Sequence, residues 1–571
     1  MAKQPWKPWH EVVKLRNDLR SGELPLHMFA ADLYEVMMQN GKRPIYERPD
    51  EFFALTCPTH NLRNLVKDVV LRLAGKNDKA VRQLELTYGG GKTHTLITMR
   101  HLVHDPAKLP HELAAVGEFK TTIGQEPPQA RVAALCFDKI DVETGCDVRS
   151  PNGSVRRLKA PWSILAYQIA GDEGLKLLNA KGEAEERETP PAENTLNDLL
   201  SLPAKEGMGT LILLDEVLLY AKVRVRSDPG WLDILSSFFQ YLTQAAAKAN
   251  RCCIVASLLS SEPKDQADAL GKRIVSELYD IFQRQREEAV QPVEKDDVAE
   301  VLRRRLFDPV SGQERDSWRQ HVIAALKGIT PLDEQTAKQG AAAEERYLKS
   351  YPFHPELTEV FYNKWTNIDR FQKTRGVLRT FALALREAEK WDESPLVGPG
   401  VFLSAPKQEG LSEAARELVT IADTIVSDGQ GTHWTGIVQS ELSCARQVQN
   451  ESVGLRLREI EQAVMATFLH SQPTGRSAKT RDLMLLVGPC RPDKIELEKG
   501  LARWARSSYW LDDTKLPEKD GQLPAEWMLG NRPNLTQMQA AAAAHMRSGR
   551  GARAVFPKRR CPACIACSRR R

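Results

Sequence analysis

An α/β core built on a parallel sheet with helices on both faces is the fold class the sequence predicts, and three observations predict it. Short apolar runs without polar alternation recur at 131–137 (RVAALCF), 210–214 (TLILL) and 252–259 (CCIVASLL), the pattern of strands buried on both faces. Stretches of helical period separate them. The β-rich segment 81–88 also runs straight into Gly89-Gly90-Gly91-Lys92-Thr93, after which Leu96, Ile97, Met99, Leu102 and Val103 mark an apolar helix.

Taken in order, residues 1–80 read as an N-terminal helical region. Phe29, Leu33, Val36 and Met37 fall at i, i+4, i+7 and i+8, one helical face, and Leu62, Leu65, Val66, Val69, Val70 and Leu73 form a second stripe starting near Thr59. Residues 81–270 hold the predicted core. Residues 271–400 are helical and highly charged, a helical lid ending in the Pro/Gly-rich stretch 394–400 (SPLVGPG), read as a linker. Residues 401–540 carry helices at 413–426, 455–468 and 494–508, then β-like pieces at 509–511 and 527–529, an order compatible with a winged helix. The polar stretch 181–194 reads as an exposed loop.

The segment 84–96 (LELTYGGGKTHTL) carries the strongest chemistry. A polyphosphate needs a strand that turns through glycines into a helix, so that backbone N–H groups and the helix N-terminus face the anion. Gly89, Gly90, Gly91 and His94 belong to that loop, Lys92 is placed to reach the β- and γ-phosphates, and Thr93 to ligate Mg²⁺. The usual first glycine of this P-loop (Walker A) pattern is replaced by Leu86. In 211–220 (LILLDEVLLY), four apolar residues precede Asp215-Glu216, as in a Walker B strand. Two acids at the end of a buried strand are costly unless a metal or polar site receives them. Asp215 is expected to hold Mg²⁺ through water and Glu216 to polarise the attacking water. The long interval between the two motifs predicts an insertion. On the third strand Ser257 or Ser260 is the candidate γ-phosphate sensor, against the alternative of a simple cap. Gly376-Val377-Leu378-Arg379 has the G-x-x-R spacing seen at the lid helix of AAA+ ATPases, where the arginine touches the γ-phosphate; Arg375 is the neighbouring alternative. Arginine fingers are sought at Arg284, Arg286 or Arg303–Arg305, of which three consecutive positions occupy three helix faces.

Several stretches resemble the domain-of-unknown-function 499 family, prokaryotic ATPases that themselves resemble AAA+ proteins. They are FAADLYEV (29–36), the 46–62 stretch ending FFALTCPTHNL, GGGKTHTL, APWSILAYQIAG (160–171), LILLDEVLLYA, VLRRRLF (301–307), YPFHPEL (351–357) and FQKTRGVLRTFA. The matches run in order from residue 6 to about 535, and GGGKTH and FQKTRGVLR are the most specific. The resemblance implies an AAA+-like αβα P-loop NTPase core, ATP and Mg²⁺ as ligands, and a place beside DNA methylases, helicases and nuclease-like partners in phage-defence clusters. Members usually show Thr-Leu-Pro where this chain has Ser257-Leu258-Leu259, and they are generally longer.

Net charge is +5 with a pI near 8.5, which invites a nucleic-acid reading. The charge is uneven. Residues 541–571 hold nine of the 80 Lys and Arg and none of the 75 Asp and Glu, so the other 540 residues carry 71 basic and 75 acidic groups, a net of −4. The pI is therefore no argument for DNA binding by the body. The tail has the composition of out-of-frame translation of a GC-rich gene; a frameshifted or disordered extension is expected, with a zinc or iron–sulfur site at Cys561, Cys564 and Cys567, or a basic arm on DNA phosphates, as alternatives. His94, His101 and His104 share a helix face, but no acid or thiol completes a metal site. Lone cysteines (Cys57, Cys136, Cys146, Cys444, Cys490) form no disulfide framework, no apolar run reaches the roughly 20 residues of a membrane span, and residues 1–10 resemble no export signal. The expectation is a cytoplasmic Mg²⁺-dependent ATP hydrolase that drives or switches a DNA-directed complex in antiviral defence, its oligomeric state open. The alternative is a nucleotide-gated scaffold or DNA-binding regulator with negligible turnover.

Overall fold

The computed structural model describes residues 6–84, 91–179, 181–258, 269–283, 290–310, 315–368, 371, 373–423, 433–473, 475–517 and 521–534. Its strands are β1 (Val81–Gln83), β2 (Ala130–Cys136), β3 (Cys146–Arg149), β4 (Val155–Leu158), β5 (Gly209–Asp215), β6 (Cys252–Ala256), β7 (Ala478–Lys479) and β8 (Glu526–Trp527). The predicted parallel sheet has the order β1-β6-β5-β2, every pair parallel. Along β5 the side chains alternate between two cores: Leu211 and Leu213 face one, Ile212 and Leu214 the other. Both faces are apolar because helices cover both. His60–Leu73, Lys92–His104 and Ala114–Ile123 lie on one face; Pro161–Ala170, Glu193–Lys205 and Trp231–Lys248 lie on the other. The expected insertion between the two motifs contains the antiparallel β3–β4 ribbon and the helices from Pro161 to Lys205.

The helix expected near Thr59 is His60–Leu73, with Thr59 Oγ1 accepting from Leu62 N–H at 3.2 Å. The stripe of Phe29, Leu33, Val36 and Met37 is not one helix. Phe29 ends a 3₁₀ turn and packs into a third core. Asp32 then caps a new helix, Leu33–Met38, accepting from Glu35 N–H, and Leu33 and Val36 join the sheet. That third core gathers Trp9–Phe29 with residues 302–529. The 394–400 stretch runs through it rather than acting as a linker. All seven residues are buried, and Val397 pairs with Phe353, donating to Pro352 O at 2.8 Å and accepting from His354 N–H at 3.0 Å. Pro and Gly there disfavour regular structure, yet the backbone groups are satisfied across the core. Where the Arg315–Ile329 helix crosses the 488–490 turn, Gly328 lets backbone meet backbone; a Cβ there would lie 2.2 Å from Gly488 O. Gly328→Ala should cost about 2–4 kcal/mol, read as a lowered urea midpoint; an unchanged midpoint would mean that the two elements are not held this closely.

Among the described residues no helix is long and apolar enough to cross a membrane.

Candidate functional site

The helix opened by Gly91 and the tips of β2 and β5 meet at one end of the sheet. Gly89 and Gly90 lie outside the described residues. Gly91 has φ +66°, where any side chain would be strained, and its carbonyl accepts from Thr95 N–H at 2.7 Å to start the Lys92–His104 helix. Asp215 ends β5. Thr93 Oγ1 donates to Asp215 Oδ2 at 3.0 Å, and Lys92 Nζ stands 3.7 Å from Glu216 Oε1. Asp215 Oδ1 is buried and has no hydrogen-bond partner among the described residues. Burial, then the neighbouring Glu216, push the Asp215 carboxyl up to about 7 against the pull of Lys92 and Thr93. Glu216 adopts φ +56°, ψ +39° at the start of the Val217–Ser227 helix, a left-handed conformation that a non-glycine residue holds at a cost of roughly 1–3 kcal/mol.

Thr93, Asp215 and Glu216 open on a cleft of about 670 Å³ beside Lys92, which does not itself line it. Thr93, Asp215, Glu216 and Leu219 line it together with the N-terminal residues Leu26, Asp32, Tyr34 and Arg43 and with Arg375. Four charged residues of the lining, Asp32, Arg43, Asp138 and Lys139, were not singled out from the sequence. Cys136 pairs with Asp215 across β2 and β5, so the residues just beyond β2 reach the same place. Lys139 Nζ lies 3.2 Å from Asp138 Oδ2 and 3.2 Å from Asp32 Oδ2, tying the N-terminal segment to the β2 tip. Burial raises the Asp138 carboxyl. The one available sequence signal was the Asp-Lys pair ending the apolar run 131–137.

The remaining candidates divide. Arg379 is not in the cleft. Its Nε donates to Leu24 O at 2.7 Å, it pairs with Glu417, and it lines a separate pocket of about 390 Å³ with Leu26, Phe371, Gly376 and Arg416. Arg375, one turn earlier on the Lys373–Ala388 helix, is exposed and reaches the cleft. Ser257 follows β6 with its side chain fully buried and Oγ without a hydrogen-bond partner among the described residues; it does not line the cleft. Ser260, Arg284, Arg286 and residues 541–571 lie outside the described residues. His94 stacks on Phe52 at 4.4 Å, meets Thr56 Oγ1 at 3.0 Å and faces Arg305, and burial keeps it neutral. It fastens the helix to the N-terminal region rather than facing the cleft.

Each of the three consecutive arginines has partners within the chain. Arg303 donates to Lys349 O and Tyr351 O, Arg304 to Glu300 and Thr56 O, and Arg305 to the Tyr46 hydroxyl. His101 is likewise committed, to Tyr46 O and Arg100, and among the described residues no cluster of three His, Cys, Asp or Glu is placed to hold a metal. A metal at the cleft would therefore rest on Thr93, Asp215 and water, and the unpartnered Asp215 Oδ1 fits that demand.

Residues 7–290 match the model of the DUF499 N-terminal domain and residues 293–473 that of the DUF499 second domain. No curated protein and no solved structure matches the chain. The two family domains follow one another in order through the sheet, the cleft and much of the helical half, and on that ground the chain belongs to the DUF499 family.

Proposed function

We propose that the chain is a P-loop ATPase of AAA+ type that binds Mg²⁺-ATP in this cleft and hydrolyses it. One observation carries the reading: Thr93 Oγ1 and Asp215 Oδ2, the two groups that would share the magnesium site, already lie 3.0 Å apart, with the second Asp215 oxygen unpartnered beside them. Lys92 would neutralise the β- and γ-phosphates, and Asp215 would hold the metal through water. The metal supplies charge neutralisation of the triphosphate when bound. Glu216 would orient and deprotonate the attacking water, and its contact with Lys92 gives way as phosphate enters. Arg375 takes the γ-phosphate role first assigned to Arg379, because Arg379 is already held by Glu417 and Leu24. The family resemblance supports coupling of this cycle to a DNA-directed defence complex with methylase, helicase or nuclease partners.

Steady-state hydrolysis by the purified chain tests the reading. Turnover should require Mg²⁺ and vanish with EDTA. Arg375→Ala should lower kcat by about ten-fold or more. Arg379→Ala should leave kcat within a few-fold and lower the melting temperature, since it removes a part-buried ion pair. The reverse pattern would return the catalytic role to Arg379; absence of turnover under all conditions would sink the enzyme reading.

A further inference from the structure

The C-terminal quarter has a helix–strand–helix–helix–strand–strand order: Glu459–His470, β7, Thr480–Val487, Lys494–Ser507, an edge at Leu511, and β8. β7 pairs with β8 in a two-stranded antiparallel sheet, and Leu511 makes an isolated antiparallel bridge to Leu529 just beyond β8. The Thr480–Val487 and Lys494–Ser507 helices follow one another through residues 488–493, the chain order of a helix-turn-helix. Gly521 comes beside the Arg506 guanidinium.

The second of those helices has two sharply different faces. Leu497, Leu501, Trp504 and Ala505 are buried; Trp504 stacks on Trp527 at 5.1 Å and donates to Glu441 at 2.7 Å. Opposite them, Ile495, Lys499, Arg503 and Arg506, at i, i+4, i+8 and i+11, are all exposed along one stripe. Ile495 is 62% exposed at the N-terminal end; Val453, on the segment whose Gly454 abuts Glu496, is 93% exposed. Among the described residues, Glu496 lies 3.1 Å from Lys499 and Glu451 lies 3.9 Å from Arg503. Such exposed pairs are worth roughly 0–1 kcal/mol and yield to a stronger anion. The sequence mixes Glu with Lys and Arg here; the fold sorts the basic groups onto the outward stripe.

We propose that this stripe is a duplex-DNA binding surface. The Lys494–Ser507 helix enters the major groove with Ile495 toward the base edges and Lys499, Arg503 and Arg506 along the phosphates. B-form DNA is the occupant because its major groove admits a helix, whereas that of A-form RNA does not. Charge complementarity selects a polyanion, and the apolar residue at the helix N-terminus selects one with groove-exposed bases.

This deepens the DNA-directed part of the function proposed above, and its test is separable from ATP turnover because no nucleotide is present. Fluorescence polarisation of the full chain with a labelled 30-base-pair duplex is followed from 50 to 300 mM salt. The wild type should bind. Lys499→Gln with Arg503→Gln should weaken binding ten-fold or more and make the slope of log K against log salt shallower by about 2, the loss of two phosphate contacts. The melting temperature should not move, as both side chains are exposed. Lys338→Gln with Arg273→Gln, equally exposed elsewhere, should change nothing. Failure of the wild type to bind, an unchanged double variant (binding then residing elsewhere, as in the basic 541–571 segment), or tighter binding of the corresponding RNA duplex would overturn the proposal.

Discussion

Glu216→Gln should reduce ATP turnover by about 10²–10³-fold while leaving Mg²⁺-ATP binding within a few-fold of wild type. The amide keeps the size and hydrogen-bonding reach of the carboxylate but cannot take a proton from water. It also removes the 3.7 Å ion contact to Lys92, so nucleotide entry no longer has to break that contact, and the apparent affinity should stay level or improve slightly. Binding and chemistry therefore move in different directions, which a merely structural role for Glu216 does not produce. The left-handed backbone of Glu216 is unchanged by Gln, so a loss of turnover would not arise from relaxed strain. Single-turnover hydrolysis and equilibrium binding, measured on the same preparation, separate the two effects; equal turnover in both proteins would remove Glu216 from the reaction.

The second large effect is on stability in mild acid. His101, His354 and His470 are buried, and burial depresses their imidazoles to about 3, 3 and 4. Hydrogen bonds enforce neutrality in two of them. His101 Nδ1 accepts from Arg100 and its Nε2–H donates to Tyr46 O at 2.8 Å; His354 Nδ1 accepts from Glu356 N–H at 3.2 Å while its Nε2–H donates to Leu485 O at 3.0 Å. A second proton on either ring would point at a donor. Above an unfolded value near 6.5 both states are neutral and the full stability is present. As pH falls, the unfolded chain takes up protons that the folded chain refuses, and stability is lost from 6.5 down through the folded values. At about 1.4 kcal/mol per pH unit for each group, three such histidines cost roughly 6 kcal/mol by pH 5. Urea unfolding should show a much lower midpoint at pH 5 than at pH 7.5, and His354→Gln should flatten part of that dependence. Midpoints that match at the two pH values would contradict the buried, neutral assignment.

Much of the sheet was legible because a strand covered on both faces has a one-dimensional signature: 211–214 and 252–256 are apolar without alternation, and they are β5 and β6. Lys92, Thr93, Asp215 and Glu216 were legible for a different reason, since each pair is contiguous and attached to one end of a regular element. What escaped detection depends on contacts between distant segments. Lys139 meets Asp32 across more than a hundred residues, and nothing local to either announces it. Arg375 and Arg379 share a helix and differ by one turn; Arg379 is turned away from the cleft by Glu417 and the Leu24 carbonyl, which belong to other elements. Pro and Gly at 394–400 signalled irregular backbone correctly, but irregular backbone is not the same as exposed backbone, and Val397 satisfies its peptide groups inside a core. The basic stripe of the Lys494–Ser507 helix was hidden for the same reason, becoming visible only when Trp504 and Leu497 identify the buried side.

A Mg²⁺-nucleotide site in the cleft between the Lys92–His104 helix and the β5 tip has a direct signature in isothermal titration of ATP into the wild-type chain and into Lys92→Ala, each with Mg²⁺ and with EDTA. The wild type should bind one ATP per chain, more weakly in EDTA, and Lys92→Ala should lose at least ten-fold in affinity without a change in fold. Magnesium-independent binding of equal strength in the two proteins, or no binding in the wild type, would contradict it.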